Sequence, residues 1–421
     1  MKLAKDRVKS VQVALMVIFF AQGVAALSWI PRIPEFIHNL GVSKEVWGTM
    51  IGVGGIGAIV PLVFTNRLVL RFGTTPIIKQ TSILMIFLFM ALPYPTQWWL
   101  FLVLHFTLSV VISTFNIALN SQAVAFQKSI NKVLLATFHG SWSIGAASAA
   151  MVTSLVAVFT PLKVQMMVIP LICLGLFIWA SRNLLSEKED SHFKEKPKEK
   201  APSWRKSPGY LWLLSFGLFA GMWPELVVMD WSSVYSKEVL NLDASRAAWP
   251  YTVFVASMIV GRFSISKLTE KISINRISQI GGAFGSIAMA LAILSSSQLA
   301  PVNPELALLS LCVFFCIAGL GISSMVPSFY SAAGHVDKLP TAAALSRMAL
   351  FSSVVVIFAR TFMGSLTERF GLPLAMIFPI VMFVLASYIS GAVANKNKKL
   401  EREEAIAYPP TSPVASIDVP N

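Results

Sequence analysis

Long apolar runs recur along the whole chain, and short polar connections separate them. Each run approaches the ~20 residues that an α-helix needs to cross the hydrocarbon core of a bilayer. A helix satisfies its backbone hydrogen bonds internally, whereas the strands of a membrane barrel would show as short alternating segments. The pattern predicts an all-α membrane protein with twelve transmembrane helices, at roughly residues 11–30, 46–65, 77–95, 98–124, 135–159, 164–182, 210–234, 247–265, 277–296, 305–329, 346–366 and 374–394.

The chain also contains an internal repeat. "NLGVSKEVW" (39–47) aligns with "NLDASRAAW" (241–249), and the same offset pairs Trp29 with Trp231. Between spans six and seven lies a charged, proline-containing run that is typical of a flexible linker. We therefore predict two pseudo-symmetric halves of six helices, with boundaries at 1–185 for the first half, 186–208 for a cytoplasmic linker, 209–396 for the second half and 397–421 for a disordered cytoplasmic tail.

Composition agrees with this interpretation. Of the 421 residues, 13% are charged and 55% hydrophobic, whereas a soluble domain is about 25% charged. The chain lacks a phosphate-binding loop of the G-x-x-x-x-G-K-[ST] type and a zinc-type His/Cys spacing. Cys173, Cys312 and Cys316 lie inside apolar runs and are expected to be small buried hydrophobes. We expect no enzyme activity, no catalytic residues, no metal and no cofactor.

The net charge is +14, and the distribution of the basic residues along the chain indicates the topology in the membrane. With the N-terminus assigned to the cytoplasm, 27 of the 34 Lys and Arg residues fall in cytoplasmic segments and 6 in the opposite loops, and Arg360 lies inside a span. This is the positive-inside bias. It predicts a multi-pass protein of a bacterial inner membrane with both termini cytoplasmic, and it explains the basic balance without a nucleic-acid partner.

Several stretches resemble a known family. Twelve spans, a central charged linker and a degraded loop signature that keeps Leu68, Arg71 and Gly73 resemble the major facilitator superfamily over essentially the whole chain. "SWIPRIPEF", "NSQAVAFQK", "FHGSWSIGA", "DWSSVY" and "GLGISSMVP" look like its rhizopine-transporter-like (MosC-like) branch. The resemblance implies a central cavity lined by spans 1, 4, 7 and 10.

Candidate binding residues lie on spans 1 and 4. On span 4, five polar side chains share one helical face and therefore face protein or water: His105, Ser109, Ser113, Asn116 and Asn120. Such neutral donors and acceptors suit a solute with several hydroxyls, although interhelical hydrogen bonding is the alternative. On span 1, Gln22 and Trp29 share a face. Arg32 follows, either clamping an anionic group or Glu35, or extending to the membrane interface.

Span 5 begins with "FHGSWS". His139 is a candidate proton relay because unperturbed histidine titrates near physiological pH, although a structural donor is the simpler interpretation. Trp142 is a candidate substrate-binding residue. The following run of small residues predicts close helix packing, as does "GVGGIG" (52–57) on span 2.

Span 7 carries two acids in an apolar run. Glu225 follows Pro224 in the outer half of the span, and Asp230 is expected at its outer mouth, nearer water. Five residues separate the acids, so they point about 140° apart and form no catalytic dyad. Both are proton-coupling candidates, because an acid inside a membrane span is a functional candidate by default. Trp223 and Glu225 are candidate substrate ligands, and Arg360 is a candidate substrate ligand or counter-ion.

These features favour a secondary active transporter that moves a small polar solute, such as a sugar, polyol or amino sugar, by alternating access coupled to protons. We expect a monomer in the lipid bilayer, with a small-molecule substrate and a proton as co-substrate. The alternative is a proton-driven exporter of amphipathic compounds with the same fold, because 29 Phe and 17 Met allow a plastic apolar pocket. A channel is disfavoured because no charged ring or filter-like loop is visible.

Overall fold

The computed structural model describes residues 5–130, 134–186, 189, 207–333, 336 and 341–407. Most of the predicted linker and the end of the predicted tail lie outside these residues. Helices dominate the described chain, and no strand occurs in it. In order, the long helical segments are α1 (Lys5–Leu27, then Ile33–Leu40), α2 (Lys44–Gly55, then Pro61–Phe72), α3 (Thr74–Ala91), α4 (Trp98–Ile130), α5 (Leu135–Val156), α6 (Leu162–Ser181), α7 (Gly209–Glu238), α8 (Ala244–Leu268), α9 (Ile274–Leu299), α10 (Pro304–Ile322, then Met325–Ala333), α11 (Thr341–Phe370) and α12 (Leu372–Ala375, then Ile377–Ala407).

Eleven of these segments in the described chain are long and apolar enough to cross a membrane. The remaining one, α5, has 22 residues, and its Gly, Ser and His content lowers its hydropathy. The predicted all-helical membrane fold is confirmed.

The helices pack as two similar groups, α1–α6 and α7–α12. In the first group α1 packs on α5 and α6, and in the second its counterpart α7 packs on α11 and α12. Ser43 caps the start of α2 by accepting a hydrogen bond from the Val46 amide, and Asp243 caps the start of α8 in the same way. The two caps are 200 residues apart, which is within two residues of the offset of 202 between the aligned segments.

Small residues allow close contacts between backbones. A Cβ on Gly145 would strike the Phe20 carbonyl oxygen of α1, and one on Gly57 would strike the Phe106 carbonyl oxygen of α4. The prediction of close helix packing from the small-residue runs is confirmed at both places.

The two halves meet at the end where α1 leads into α2 and α7 leads into α8, which we name the closed end. Here Lys44 of the first half donates to Glu238 and, through its backbone amide, to Glu368 of the second half. Nearby, the Ser154 and Thr252 hydroxyls lie 2.9 Å apart across the α5–α8 contact. The opposite end, where the chain begins, is the termini end.

At the termini end, Arg7 joins α1 to the segment that follows α6. Its guanidinium donates to the Asn183 and Leu184 carbonyl oxygens and to the Glu189 carboxylate. The Arg7 hydrogen bond lowers the pKa of Glu189 to about 2. Because this pKa is depressed, the stabilisation is complete above the ordinary glutamate pKa near 4.5 and is lost as the pH falls towards 2. Glu189 therefore stays ionised at physiological pH.

The α2–α11 contact at the closed end depends on two glycines. A Cβ on Gly48 would lie 2.6 Å from the Arg360 carbonyl oxygen and 2.8 Å from the Gly364 Cα. We therefore predict that Gly48→Ala disfavours closure by about 1–3 kcal/mol, the usual cost of overpacking a tight contact. Spin labels at the exposed residues Asn39 and Asn241 should then show longer distances, measured by pulsed electron resonance in a cysteine-free background.

Gly175→Ala is the matched control, because nothing lies within 4 Å of a Cβ at that exposed position on α6. Unchanged distances in the Gly48 variant would contradict the role of this contact in closure.

Candidate functional site

A cavity of about 70 Å³ lies where the two halves face each other, between α1, α5, α7 and α8. We name it the Glu225 cavity; its walls are Leu27, Trp142, Ser143, Ala146, Glu225, Met229, Tyr251, Phe254, Val255, Met258, Ile259 and Arg262. Each half supplies two of the four helices, so a relative movement of the halves must change the shape of this cavity.

Glu225 and Arg262 form a loose ion pair in this cavity. An Arg262 Nη2 lies 3.6 Å from a Glu225 Oε2, and each side chain remains about one-third exposed, at 31% for Glu225 and 33% for Arg262. This distance is longer than a direct hydrogen bond. Arg262 therefore keeps donors, and Glu225 keeps acceptors, that a solute or water can use.

Arg262 is the residue that the sequence analysis missed. It lies near the end of the predicted span 247–265, and the structure places it within α8. A charge inside the predicted span 247–265 was an available signal. The pairing of Arg262 with Glu225 could not be predicted, because nothing in the sequence spacing shows that α7 and α8 meet at these positions.

Asp230 is deeper than expected. The sequence places it at the outer mouth of its span, but α7 continues for two further turns to Glu238, and Asp230 is only 6% exposed. Its carboxylate accepts from Arg360 of α11, with Nε–Oδ2 at 2.7 Å and Nη2–Oδ1 at 3.3 Å. The two acids of α7 occupy separate cavities, and Asp230 shares its small one with Trp223.

Arg32 is saturated by the protein. Its guanidinium donates to both Glu35 carboxylate oxygens, to the Thr160 carbonyl oxygen and to the Gln165 side-chain oxygen. Gln165 in turn donates to the Ser28 carbonyl oxygen at 2.9 Å. These bonds use the five donors of the guanidinium, so the residue ties α1 to the α5–α6 connection and has no donor left for a solute. The predicted pairing of Arg32 with Glu35 is confirmed, whereas the alternative of a side chain extended to the interface is wrong, because Arg32 is 2% exposed.

The polar stripe of α4 divides into two environments. Ser109, Ser113, Asn116 and Asn120 line a half-open groove of about 510 Å³ beside Ala58 of α2. His105 does not join them. It stacks on Phe101 and meets Trp29 edge-on, because Gly54 allows α2 to cover it. His105 and Trp29 thus belong to a buried aromatic cluster rather than to a cavity wall.

The other candidates are placed as follows. Gln22 is buried on α1, and His139 is exposed near the start of α5 with its ring edge-on to Phe19. Trp142 lines the Glu225 cavity. Trp223 is buried against Phe219, Phe362 and Phe378, so it packs within the second half. Among the predicted residues, Trp142 and Glu225 therefore share the Glu225 cavity, where Arg262 joins them. Trp223, Asp230 and Arg360 share the smaller cavity, and Asn116 and Asn120 share the groove on α4.

Comparisons with known proteins agree with this architecture. The sequence profile of the Major Facilitator Superfamily matches residues 13–343. An uncharacterised MFS-type transporter of Yersinia pestis is 22% identical over 91% of this chain and 96% of its own length. The membrane protein MosC of Rhizobium meliloti is 20% identical over 88% of this chain and 87% of its own length.

Solved structures share the fold at low identity. A bacterial homologue of the human lysosomal transporter Spinster, in an inward-facing and unoccupied conformation, has a TM-score of 0.71 and 14% identity over 94% of this chain and 99% of its own. A D-xylose–proton symporter has a TM-score of 0.69 and 12% identity over 90% of this chain and 96% of its own. The nucleoside transporter NupG has a TM-score of 0.65 and 14% identity over 93% of this chain and 99% of its own.

The Arg32 network makes a prediction about stability. Arg32→Gln should destabilise the protein by about 3–5 kcal/mol, because it leaves the half-buried Glu35 carboxylate and the buried Gln165 without their partner. Thermal unfolding of the detergent-purified protein measures the change. Arg246→Gln is the control, since Arg246 pairs with Asp243 and Glu305 at an exposed site, where such a pair contributes at most about 1 kcal/mol. An Arg32 variant that unfolds like the Arg246 variant would contradict the structural role.

Proposed function

Because the chain belongs to the Major Facilitator Superfamily and is a membrane transporter, we propose that it moves a small polar solute by alternating access, with a proton as co-substrate. The observation that carries the proposal is the loose Glu225–Arg262 pair, which lies in a cavity walled by both halves. Binding sites between the repeats of secondary transporters are located in this way. A separate groove on α4 carries hydroxyl and amide groups of the kind that bind a sugar, polyol or amino sugar.

The contacts between the halves support a conformation that is shut at the closed end. Lys44, Glu238 and Glu368 join the halves at the closed end. The positive-inside bias supports cytoplasmic termini in a bacterial inner membrane, with the closed end on the opposite side. We propose that a single chain is the functional unit, because one copy supplies both halves of the cavity.

Glu225 is the proposed site of proton coupling. Its carboxylate is about one-third exposed and loosely paired, whereas that of Asp230 is held by two hydrogen bonds from Arg360. His139 is exposed near the termini end and is a second candidate for passing the proton.

The test uses proteoliposomes with a trapped pH-sensitive dye. The solute is the sugar, polyol or amino sugar that most raises the melting temperature of the purified protein. Wild-type protein should carry protons together with this solute, and Glu225→Gln should lower solute-driven proton flux at least tenfold, since the amide cannot titrate. Glu270→Gln, at an exposed position after α8, should behave as wild type. Solute-driven proton flux that persists in the Glu225 variant would contradict the coupling role.

Export of amphipathic compounds is the second candidate function. The observation that favours it is the apolar wall of the Glu225 cavity, where Met229, Met258 and Phe254 lie beside Trp142. Unbranched methionine side chains adapt to varied ligands. Susceptibility of a deletion strain separates the two functions: broad sensitivity to amphipathic drugs supports export, and failure to grow on one carbon source supports uptake.

A further inference from the structure

We propose that the Glu225 cavity binds a small zwitterion, a solute that carries one ammonium group and one acid group. Glu225 accepts from the ammonium group, and Arg262 donates to the acid group. The inference rests on the proposed function, because it specifies the class of solute that the transporter takes.

The first argument is the incomplete pairing of these two residues. Arg32 uses five hydrogen bonds and Arg360 makes two to Asp230. Arg262, by contrast, has one contact at 3.6 Å with its acid, and both partners remain about one-third exposed to the cavity. A charge-assisted hydrogen bond is normally shorter, about 2.7–2.9 Å. The pair is therefore open to insertion of a ligand in a way that the other two are not.

The second argument is charge balance. A solute with only an ammonium group would compete with Arg262 for Glu225 and leave the guanidinium without an acid. A solute with only a carboxylate would leave Glu225 without a base. Leaving one partner of such a pair uncompensated is costly in a partly desolvated site. A zwitterion replaces one ion pair with two, so both protein charges keep an opposite charge during binding.

The third argument is the apolar composition of the cavity walls, together with the short distance between the two charged side chains. Beyond the two charges, the cavity is lined mainly by Trp142, Tyr251, Phe254 and the methionines at 229 and 258. Such walls pack against an apolar body and offer few groups to a polyhydroxylated one. In an α-amino acid a single carbon separates the two charged groups, so they are close enough to contact the neighbouring side chains of Glu225 and Arg262 together. The geometry points to a compact zwitterion with an apolar portion.

The experiment measures binding to the detergent-purified full chain by thermal shift and by titration calorimetry. The probes are the standard L-amino acids and muramic acid, with glucose, glucosamine, glucuronate and sorbitol for comparison. For the zwitterion that binds most tightly, the decarboxylated amine and the deaminated acid are then measured. We expect each singly charged analogue to bind at least tenfold more weakly than the zwitterion. If no zwitterion in the panel binds more tightly than the sugars and sorbitol, the inference is wrong.

Variants of the two residues assign the contacts. Arg262→Gln should weaken binding of the zwitterion at least tenfold and weaken binding of the amine analogue less. Glu225→Gln should weaken binding of the zwitterion at least tenfold and weaken binding of the acid analogue less. The exchanged double variant, Glu225→Arg with Arg262→Glu, should recover binding relative to either single variant. Arg246→Gln is the control, because it removes an arginine of the same half at a site outside the cavity. Equal zwitterion affinity in wild-type protein and in both single variants would overturn the assignment.

Transport measurements distinguish failure of this inference from failure of the proposed function. Gradient-driven accumulation of a neutral sugar or polyol that no zwitterion inhibits would overturn the zwitterion site while the chain remains a transporter of polar solutes. Zwitterion binding that depends on both residues, but without any flux in proteoliposomes, would support the site and contradict transport.

Discussion

An ionised side chain inside an apolar helical bundle must have water or an opposite charge beside it, and this requirement organises the present structure. Arg32, Arg262 and Arg360 each face one carboxylate, with different degrees of pairing. Arg32 is saturated by Glu35, Gln165 and a carbonyl oxygen, and Arg360 is bonded twice to buried Asp230. Arg262 has one long contact to Glu225. The number and length of these hydrogen bonds distinguish the arginines that hold the bundle together from the one that remains available for a solute.

The positions of the pairs fit this division. Arg32 joins helices within the first half, and Arg360 joins α7 to α11 within the second half, so neither pair crosses between the halves. Glu225 and Arg262 also belong to the second half, but the opposite wall of their cavity, including Leu27 and Trp142, comes from the first. The charges that would recognise a solute are thus carried by one half and covered by the other. A rocking movement would expose or cover the pair without breaking the fold.

The closed end depends on a different kind of contact. Gly48 and Gly364 bring the backbones of α2 and α11 together, and the Ser154 and Thr252 hydroxyls meet across α5 and α8. Lys44 adds an ion pair and a backbone hydrogen bond to the second half. Contacts of this type are short in range and individually small, so they can separate and form again during a transport cycle. Buried saturated pairs such as that of Arg32 would make such a cycle slow.

The sequence by itself determined the helical membrane fold, the number of spans, the repeat and the close packing at small residues. These features follow from local properties: length of apolar runs, the absence of side-chain bulk and the spacing of similar segments. It also selected Glu225, because an acid in an apolar run is visible without a structure. Only the tertiary structure decided the partner of each charge. In the structure Asp230 is buried, and the donors of Arg32 are all used within the protein. His105 lies in an aromatic cluster and not with the other polar residues of α4, and Arg262 lies beside Glu225. Pairing between helices depends on how far each helix extends and which faces meet, and residues distant in sequence carry no local signal of that arrangement.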